Sequence, residues 1–255
     1  MNLIKTLVLE NITATYQVEG HRLPVLNNIS LQAEAGKFIS VIGPSGSGKS
    51  TILKLAAGLL KPDRGKVMVN NVDLTGISRL VGYMPQKDLL LPWKTLLENA
   101  ALPLIAAGRK KAEAYETTMA LLPRFGLDGF EGYYPGSLSG GMRQRTALLR
   151  TLLIDSNLLL LDEPFASLDA LTRASMQDWI LDIWEQFKRT VLFVTHSIDE
   201  AIYLSDRVYV ITERPGRVAA EFDINLTRPR SKSIITSEEF SLYKEKMLAS
   251  LGQIS

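Results

Sequence analysis

The chain of 255 residues carries 29 Lys and Arg against 27 Asp and Glu, is 46% apolar and 22% charged, and contains no cysteine. That near balance of charge offers no general attraction to nucleic acid or to a membrane surface. The missing thiols exclude disulfide staples, thiolate zinc sites and a cysteine nucleophile, so a metal is expected on oxygen ligands.

Met1 to Glu10, with Lys5 in its middle, lacks the form of a targeting leader, and no apolar run approaches the ~18 residues of a membrane span. The composition is that of a packed cytosolic protein. Up to about Pro85 short β-like runs dominate: Leu7 to Leu9, Ile29 to Gln32, Phe38 to Ile42, Val67 to Val69 and Leu80 to Met84. A helix from Lys49 to about Gly58 interrupts them. From about Gln86 to Asn157 the spacing turns helical, with Thr95 and Glu98 as a capping box ahead of Leu96, Leu97, Leu102 and Ile105. Asn99 to Gly108, broken by Pro103, reads as a core or groove helix.

The β/α alternation then returns, with strands at Leu158 to Leu161 and Val191 to Thr195 and a helix from about Leu171 to Phe187 between them. A helix capped by Ser197 and Glu200 follows, then strands near Val208 to Thr212 and Val218 to Phe222. A tail helix with Thr236 and Glu239 as its capping box sets Phe240, Tyr243 and Met247 on one docking face. The pattern is that of an α/β protein with a parallel sheet, whose ligands gather at the carboxyl ends of the strands.

Gly43-Pro44-Ser45-Gly46-Ser47-Gly48-Lys49-Ser50-Thr51 fits the phosphate-loop pattern and lies between an apolar strand and a helix, the context the motif requires. Its backbone N–H groups are suited to wrapping phosphates, Lys49 to reaching the β- and γ-phosphates, and Ser50 to Mg²⁺. The buried-type strand Leu158 to Leu161 delivers Asp162, a carboxylate for Mg²⁺, and Glu163, a candidate general base. His196 follows another apolar strand and is expected at the γ-phosphate. His21, in the polar Glu19-Gly20-His21-Arg22 stretch, reads as solvated. Gln86, just past Pro85, is a candidate contact to Mg²⁺ or the lytic water, and Tyr16 a candidate to stack on adenine.

A second helix start, Leu138-Ser139-Gly140-Gly141-Met142-Arg143-Gln144-Arg145, also offers free N–H groups and a positive dipole end, on a different lobe from the phosphate loop. One chain thus has two anion cradles, as expected if a nucleotide is shared between two chains.

Taken in order, these motifs resemble those of the nucleotide-binding subunit of an ATP-binding-cassette (ABC) transporter over nearly the whole chain. Tyr16 resembles the adenine-stacking A-loop, Gly43 to Thr51 the P-loop, Gln86 the Q-loop and Leu138 to Gln144 the C-loop. Asp162 and Glu163 match the Mg²⁺ and base carboxylates, Ser167 to Asp169 the D-loop, and His196 the switch histidine. The resemblance implies a P-loop core with a parallel sheet (1–85 and 158–230), an N-terminal antiparallel β subdomain, an inserted helical subdomain (about 86–157) and a tail helix (231–255).

It also implies ATP and Mg²⁺ as ligands and a partner ATPase subunit, a second copy or a homologue, whose P-loop nucleotide is met by Ser139 and Gly141. A chain without a span further needs an integral-membrane permease, expected to dock near Gln86 to Trp93, and indirectly an extracytoplasmic solute-binding protein. The chain would then sit at the cytoplasmic face of the membrane. Two places depart from the commonest pattern: Met142 stands where glutamine is usual, and Ala166-Ser167 precedes Leu168-Asp169. Met142, Leu91 to Asn99, Asp169 to Arg173 and Arg214-Pro215-Gly216-Arg217 resemble the nitrate, sulfonate and taurine importer subfamily. A soluble ABC ATPase acting on nucleic acid or the ribosome would resemble two cassettes in one chain, or one split by a long coiled coil, and neither is present. A P-loop kinase would need neither the C-loop nor the Glu163 base.

Overall fold

The runs Leu7 to Leu9 and Ile29 to Gln32 are parts of two strands much longer than expected. In the computed structural model, which describes residues 5–73 and 81–252, β1 (Lys5–Val18) and β2 (His21–Glu34) form one antiparallel hairpin about the Glu19–Gly20 turn. Polar residues at the bulges, including Asn11 and Asn28 at positive φ, break the period-2 pattern, which is why only fragments read as strand. With β4 (Arg64–Val69) and the short β5 (Val72–Asp73) they complete a four-stranded sheet in the order β2-β1-β4-β5. Exposed His21 opens β2 at the tip of the hairpin, solvated as expected.

The second sheet contains β3 (Phe38–Ile42), β6 (Gly82–Met84), β7 (Leu158–Asp162), β8 (Thr190–Val194), β9 (Arg207–Ile211) and β10 (Val218–Asp223), in the order β10-β9-β3-β8-β7-β6. Five strands run parallel and β10 returns antiparallel on the β9 edge. Leu80, expected at the start of β6, lies outside the described residues. Alternation sends Leu159 and Leu161 into one core with Phe38 and Phe193, and Leu158 and Leu160 into the other with Ile39, Val41 and Leu192. Both faces are covered, so β3, β7 and β8 are buried at every position.

The helices are α1 (Lys49–Ala56), α2 (Leu96–Ala106), α3 (Lys111–Met119), α4 (Leu122–Phe125), α5 (Gly140–Leu152), α6 (Ala170–Phe187), α7 (Ile198–Leu204) and α8 (Glu238–Gly252). Helix α1 packs on one face of the parallel sheet together with the antiparallel sheet, while α5, α6, α7 and α8 join the core on the other. The helical stretch is continuous with that second core, since Leu96, Ala100, Leu122, Phe125 and Leu138 belong to the same cluster as Phe38 and Phe193.

The capping box of α2 forms as expected: Thr95 accepts from Glu98 N–H and the Glu98 carboxylate accepts from Thr95 N–H at 3.0 Å. Two caps differ from expectation. Ser237 caps α8, accepting from Phe240 N–H, while the Thr236 hydroxyl donates to the Ser233 carbonyl. Ser197 caps α7, but the buried Glu200 side chain bonds Thr195 and Gln177 instead of closing a box. The Thr195 hydroxyl and Gln177 amide supply the hydrogen bonds that this buried carboxylate requires. Phe240 and Met247 of the tail are buried and Tyr243 packs beside them, so α8 docks by the face the sequence marked. Among the described residues no helix is long and apolar enough to cross a membrane.

Candidate functional site

Parallel pairing sets the carboxyl ends of β3, β8, β7 and β6 side by side, and these ends carry the P-loop, His196, Asp162 with Glu163, and Gln86 in turn. A cleft of about 380 Å³ opens there, lined by Tyr16, Val18, Leu23, Val25, the P-loop residues Ser45, Gly46 and Gly48 to Thr51, Gln86, Glu163 and Arg214. Residues separated by nearly two hundred positions thus share one wall. Gly43 and Pro44 begin the loop, and Ser47 inside it has a buried hydroxyl oxygen without a hydrogen-bond partner in the protein.

Loop shape depends on Gly48. It caps α1 at φ +101°, and a Cβ there would stand 2.6 Å from Leu26 Cδ2, so a side chain would clash with β2 as well as strain the backbone. The turn presents the free N–H groups and positive end of α1 to the cleft, as an anion requires. The Lys49 ammonium donates to the carbonyls of Gly43 at 2.9 Å and Pro44 at 2.8 Å. Burial lowers the Lys49 pKa, and the nearby Glu163 and Asp162 carboxylates oppose that shift. Buried cationic charge at the positive end of a helix suits a polyphosphate.

Asp162, almost fully buried at the end of β7, accepts from the Ser50 hydroxyl at 2.9 Å. Burial raises its pKa against the Ser50 hydrogen bond. Paired hydroxyl and carboxylate oxygens are the donor set of a small hard cation such as Mg²⁺, and among the described residues no cluster of three His, Cys, Asp or Glu competes for a metal. Tyr83 on β6 makes a long hydrogen bond from its hydroxyl to the other Asp162 oxygen at 3.5 Å. Burial, then the Asp162 charge, pushes the Tyr83 pKa up to about 12.

Glu163 has φ +45°, a left-handed conformation costing on the order of 1 kcal/mol in a non-glycine residue. It is held by its own N–H, which donates to the Val194 carbonyl at 3.0 Å, and by Oε2, 3.1 Å from His196 Nδ1. Glu163 lines the cleft, while His196 is exposed and reaches it through that contact. Gln86 lines the same cleft and Tyr16 stands beside Thr51, the two hydroxyls 3.4 Å apart.

The second cradle lies elsewhere. Ser139 caps α5 by accepting from Met142 N–H at 3.2 Å, and neither Ser139, Gly140 nor Gly141 lines the cleft of its own chain. It abuts the start of α6, since a Cβ on Gly141 would stand 3.1 Å from Thr172 Cγ2. Asp169 is likewise outside the cleft: exposed, it caps α6 by accepting from Leu171 and Thr172 N–H, and the bonds from Thr172 lower its pKa. Tyr83 and the Val18, Leu23 and Val25 wall escaped the motif reading, which marked Arg214 only as part of a subfamily stretch and not as a cleft residue. The register pairing Tyr16 with Leu23 was the signal that could have marked the wall, once the hairpin was recognised.

A family model described as ABC transporter matches residues 26–166. The aliphatic sulfonates import ATP-binding protein SsuB of Bacillus cereus is 42% identical over 243 residues, 95% of this chain and 94% of that protein. The formylaminopyrimidine import ATP-binding protein ThiZ of Halalkalibacterium halodurans is 48% identical over 192 residues, 75% of each chain. Among solved structures, the dimeric structure of a bacterial ABC transporter cassette is 32% identical with a TM-score of 0.76, over 87% of this chain and all of that one. The same cassette in a post-hydrolysis state bound to ADP and phosphate matches equally well. Phosphate loop, paired carboxylates and second helix start therefore have their place in a known architecture: the chain belongs to the ABC transporter family and is one of its ATP-binding, ATP-hydrolysing subunits.

Proposed function

We propose that the chain is the ATPase subunit of an importer, working as a dimer in which each ATP lies between the P-loop of one chain and Ser139 to Gly141 of the other. The observation carrying this reading is that Ser139, Gly140 and Gly141 form a helix start outside the cleft of their own chain. A second copy supplies the missing half without a new kind of site. The dimeric cassette structure, at 32% identity, supports a dimer.

Within each composite site Tyr16 and the apolar wall receive the base, and the P-loop with Lys49 receives the phosphates. Ser50, Asp162 and Gln86 would hold Mg²⁺, which neutralises phosphate charge when bound. Glu163 takes the proton of the attacking water, and His196 fixes the carboxylate through the 3.1 Å contact. Asp169, close to the C-loop in its own chain, serves the dimer junction. Binding of ATP favours the closed dimer and hydrolysis releases it.

Leu89 and Trp93 are exposed beyond Gln86, on a turn that the buried Asn99 amide ties by donating to the Leu91, Lys94 and Thr95 carbonyls. A fixed, exposed indole is a suitable seat for a cytoplasmic helix of the permease. The chain thus works as a peripheral subunit on the cytoplasmic face, fed by an extracytoplasmic solute-binding protein. The names of SsuB, for aliphatic sulfonates, and ThiZ, for formylaminopyrimidine, support import of a small organic solute; the sequence motifs add nitrate, sulfonate and taurine as candidate cargoes.

Ser139→Arg tests the shared site. It should leave nucleotide binding by the single chain intact but abolish ATP-driven dimerisation and cooperative hydrolysis. Full activity from a strictly monomeric form would defeat the model. Reconstitution with the permease, and a scan for the solute that stimulates ATPase activity, identifies the cargo.

A further inference from the structure

The Arg214-Pro215-Gly216-Arg217 stretch between β9 and β10 has no role in nucleotide binding in the reading above, yet it is built into the wall of the cleft. Its neck closes through Thr212 N–H to the Arg217 carbonyl at 2.9 Å. Gly216 is stitched to β2 from both sides, donating to the Val25 carbonyl at 2.8 Å and accepting from Asn27 N–H at 2.9 Å. The turn also presses on the P-loop, because a Cβ on Gly216 would stand 2.3 Å from the Ser47 carbonyl oxygen. Arg214 is therefore carried by an anchored backbone.

Arg214 Nε donates to the Gly46 carbonyl at 3.1 Å, and the residue lines the cleft with Tyr16, Lys49, Gln86 and Glu163. Among the described residues its guanidinium forms no ion pair with a carboxylate. An uncompensated, permanently charged fork at the rim of an anion cradle matches phosphate oxygens in charge and shape. Pinning Gly46 through Nε leaves the terminal N–H groups as donors for a ligand.

We propose that Arg214 is a second cation for the nucleotide polyphosphate, acting beside Lys49 and setting the affinity for ATP and ADP. The inference rests on the cleft being the ATP site and adds a residue that no phosphate-loop motif contains. The rival role is purely mechanical, with Arg214 bracing Gly46 and never meeting the nucleotide.

Equilibrium binding of ATP and ADP to the purified chain, by calorimetry at several salt concentrations, separates the two roles. Arg214→Gln should weaken ATP binding by about tenfold, as loss of a charged hydrogen bond predicts, and flatten the salt dependence. Arg214→Lys, which keeps the charge but loses the fork, should lose less affinity than Arg214→Gln and keep the salt dependence of the parent. Lys49→Ala serves as the control that reports on the cleft itself. If Lys49→Ala abolishes binding while Arg214→Gln matches the parent, the ATP site stands and the role of Arg214 falls. Equal losses in Arg214→Lys and Arg214→Gln with an unchanged salt slope would also overturn it, leaving a brace. Thermal unfolding of the nucleotide-free variants checks that a loss of binding is not a loss of fold.

Discussion

His196 Nδ1 stands 3.1 Å from Glu163 Oε2, joining the residues that follow β8 and β7 across the sheet edge. Glu163→Gln keeps an oxygen for His196 and a similar shape but removes the carboxylate proposed as the base. ATP binding should persist, hydrolysis should fall by about 10²- to 10⁴-fold, and a nucleotide-trapped dimer should accumulate on gel filtration. Near-normal turnover would remove Glu163 from that role.

Tyr83 orients the Asp162 carboxylate from the side opposite Ser50. Tyr83→Phe should raise the Mg²⁺ concentration for half-maximal ATPase activity by about three- to tenfold, below the usual range for outer hydrogen bonds because this one is long. Nucleotide affinity in the presence of a chelator should not change. An unaltered Mg²⁺ titration would show that Ser50 alone suffices.

Glu98 offers a pH-dependent stability test away from the cleft. The hydrogen bond from Thr95 N–H lowers its pKa, so its contribution is present above the unfolded carboxylate pKa and disappears as pH falls through the folded value. Glu98→Gln should accordingly lower the melting temperature at pH 7 and converge on the parent curve as pH falls below the depressed folded-state pKa of Glu98. Thr95→Ala should cost about 1 kcal/mol, the usual worth of such a cap.

Trp93 is 70% exposed, so its own chain gains little from it. Trp93→Ala should alter stability by no more than about 0.5 kcal/mol and leave ATPase activity of the isolated chain intact. Co-purification with the permease should weaken by about tenfold or more, the loss expected at an interface anchor. Undiminished capture of the membrane partner would place the docking surface elsewhere.

The P-loop, the Asp162–Glu163 pair and the Ser139 helix start were legible from the chain because each is a contiguous strand-to-helix or loop-to-helix unit. Glycine, lysine, hydroxyl and carboxylate at fixed local offsets dictate the turn and its chemistry together. The Thr95 cap and the buried face of α8 were legible for the same reason. Helix and strand periods of a few residues also determined the α/β alternation, and with it the sheet edge where the motifs collect.

Tertiary structure alone decided what stands around them. Tyr83 meets Asp162 across 79 positions and Arg214 meets Gly46 across 168, contacts set by which strands are neighbours in the sheet and invisible to any local pattern. Strand order likewise brought Gln86 and Glu163 to one cleft with Tyr16, while the packing of α5 against α6 kept Ser139 to Gly141 outside it. Local sequence can specify a helix start and its positive end. Only the packing of distant segments determines that this end lies outside the cleft of its own chain.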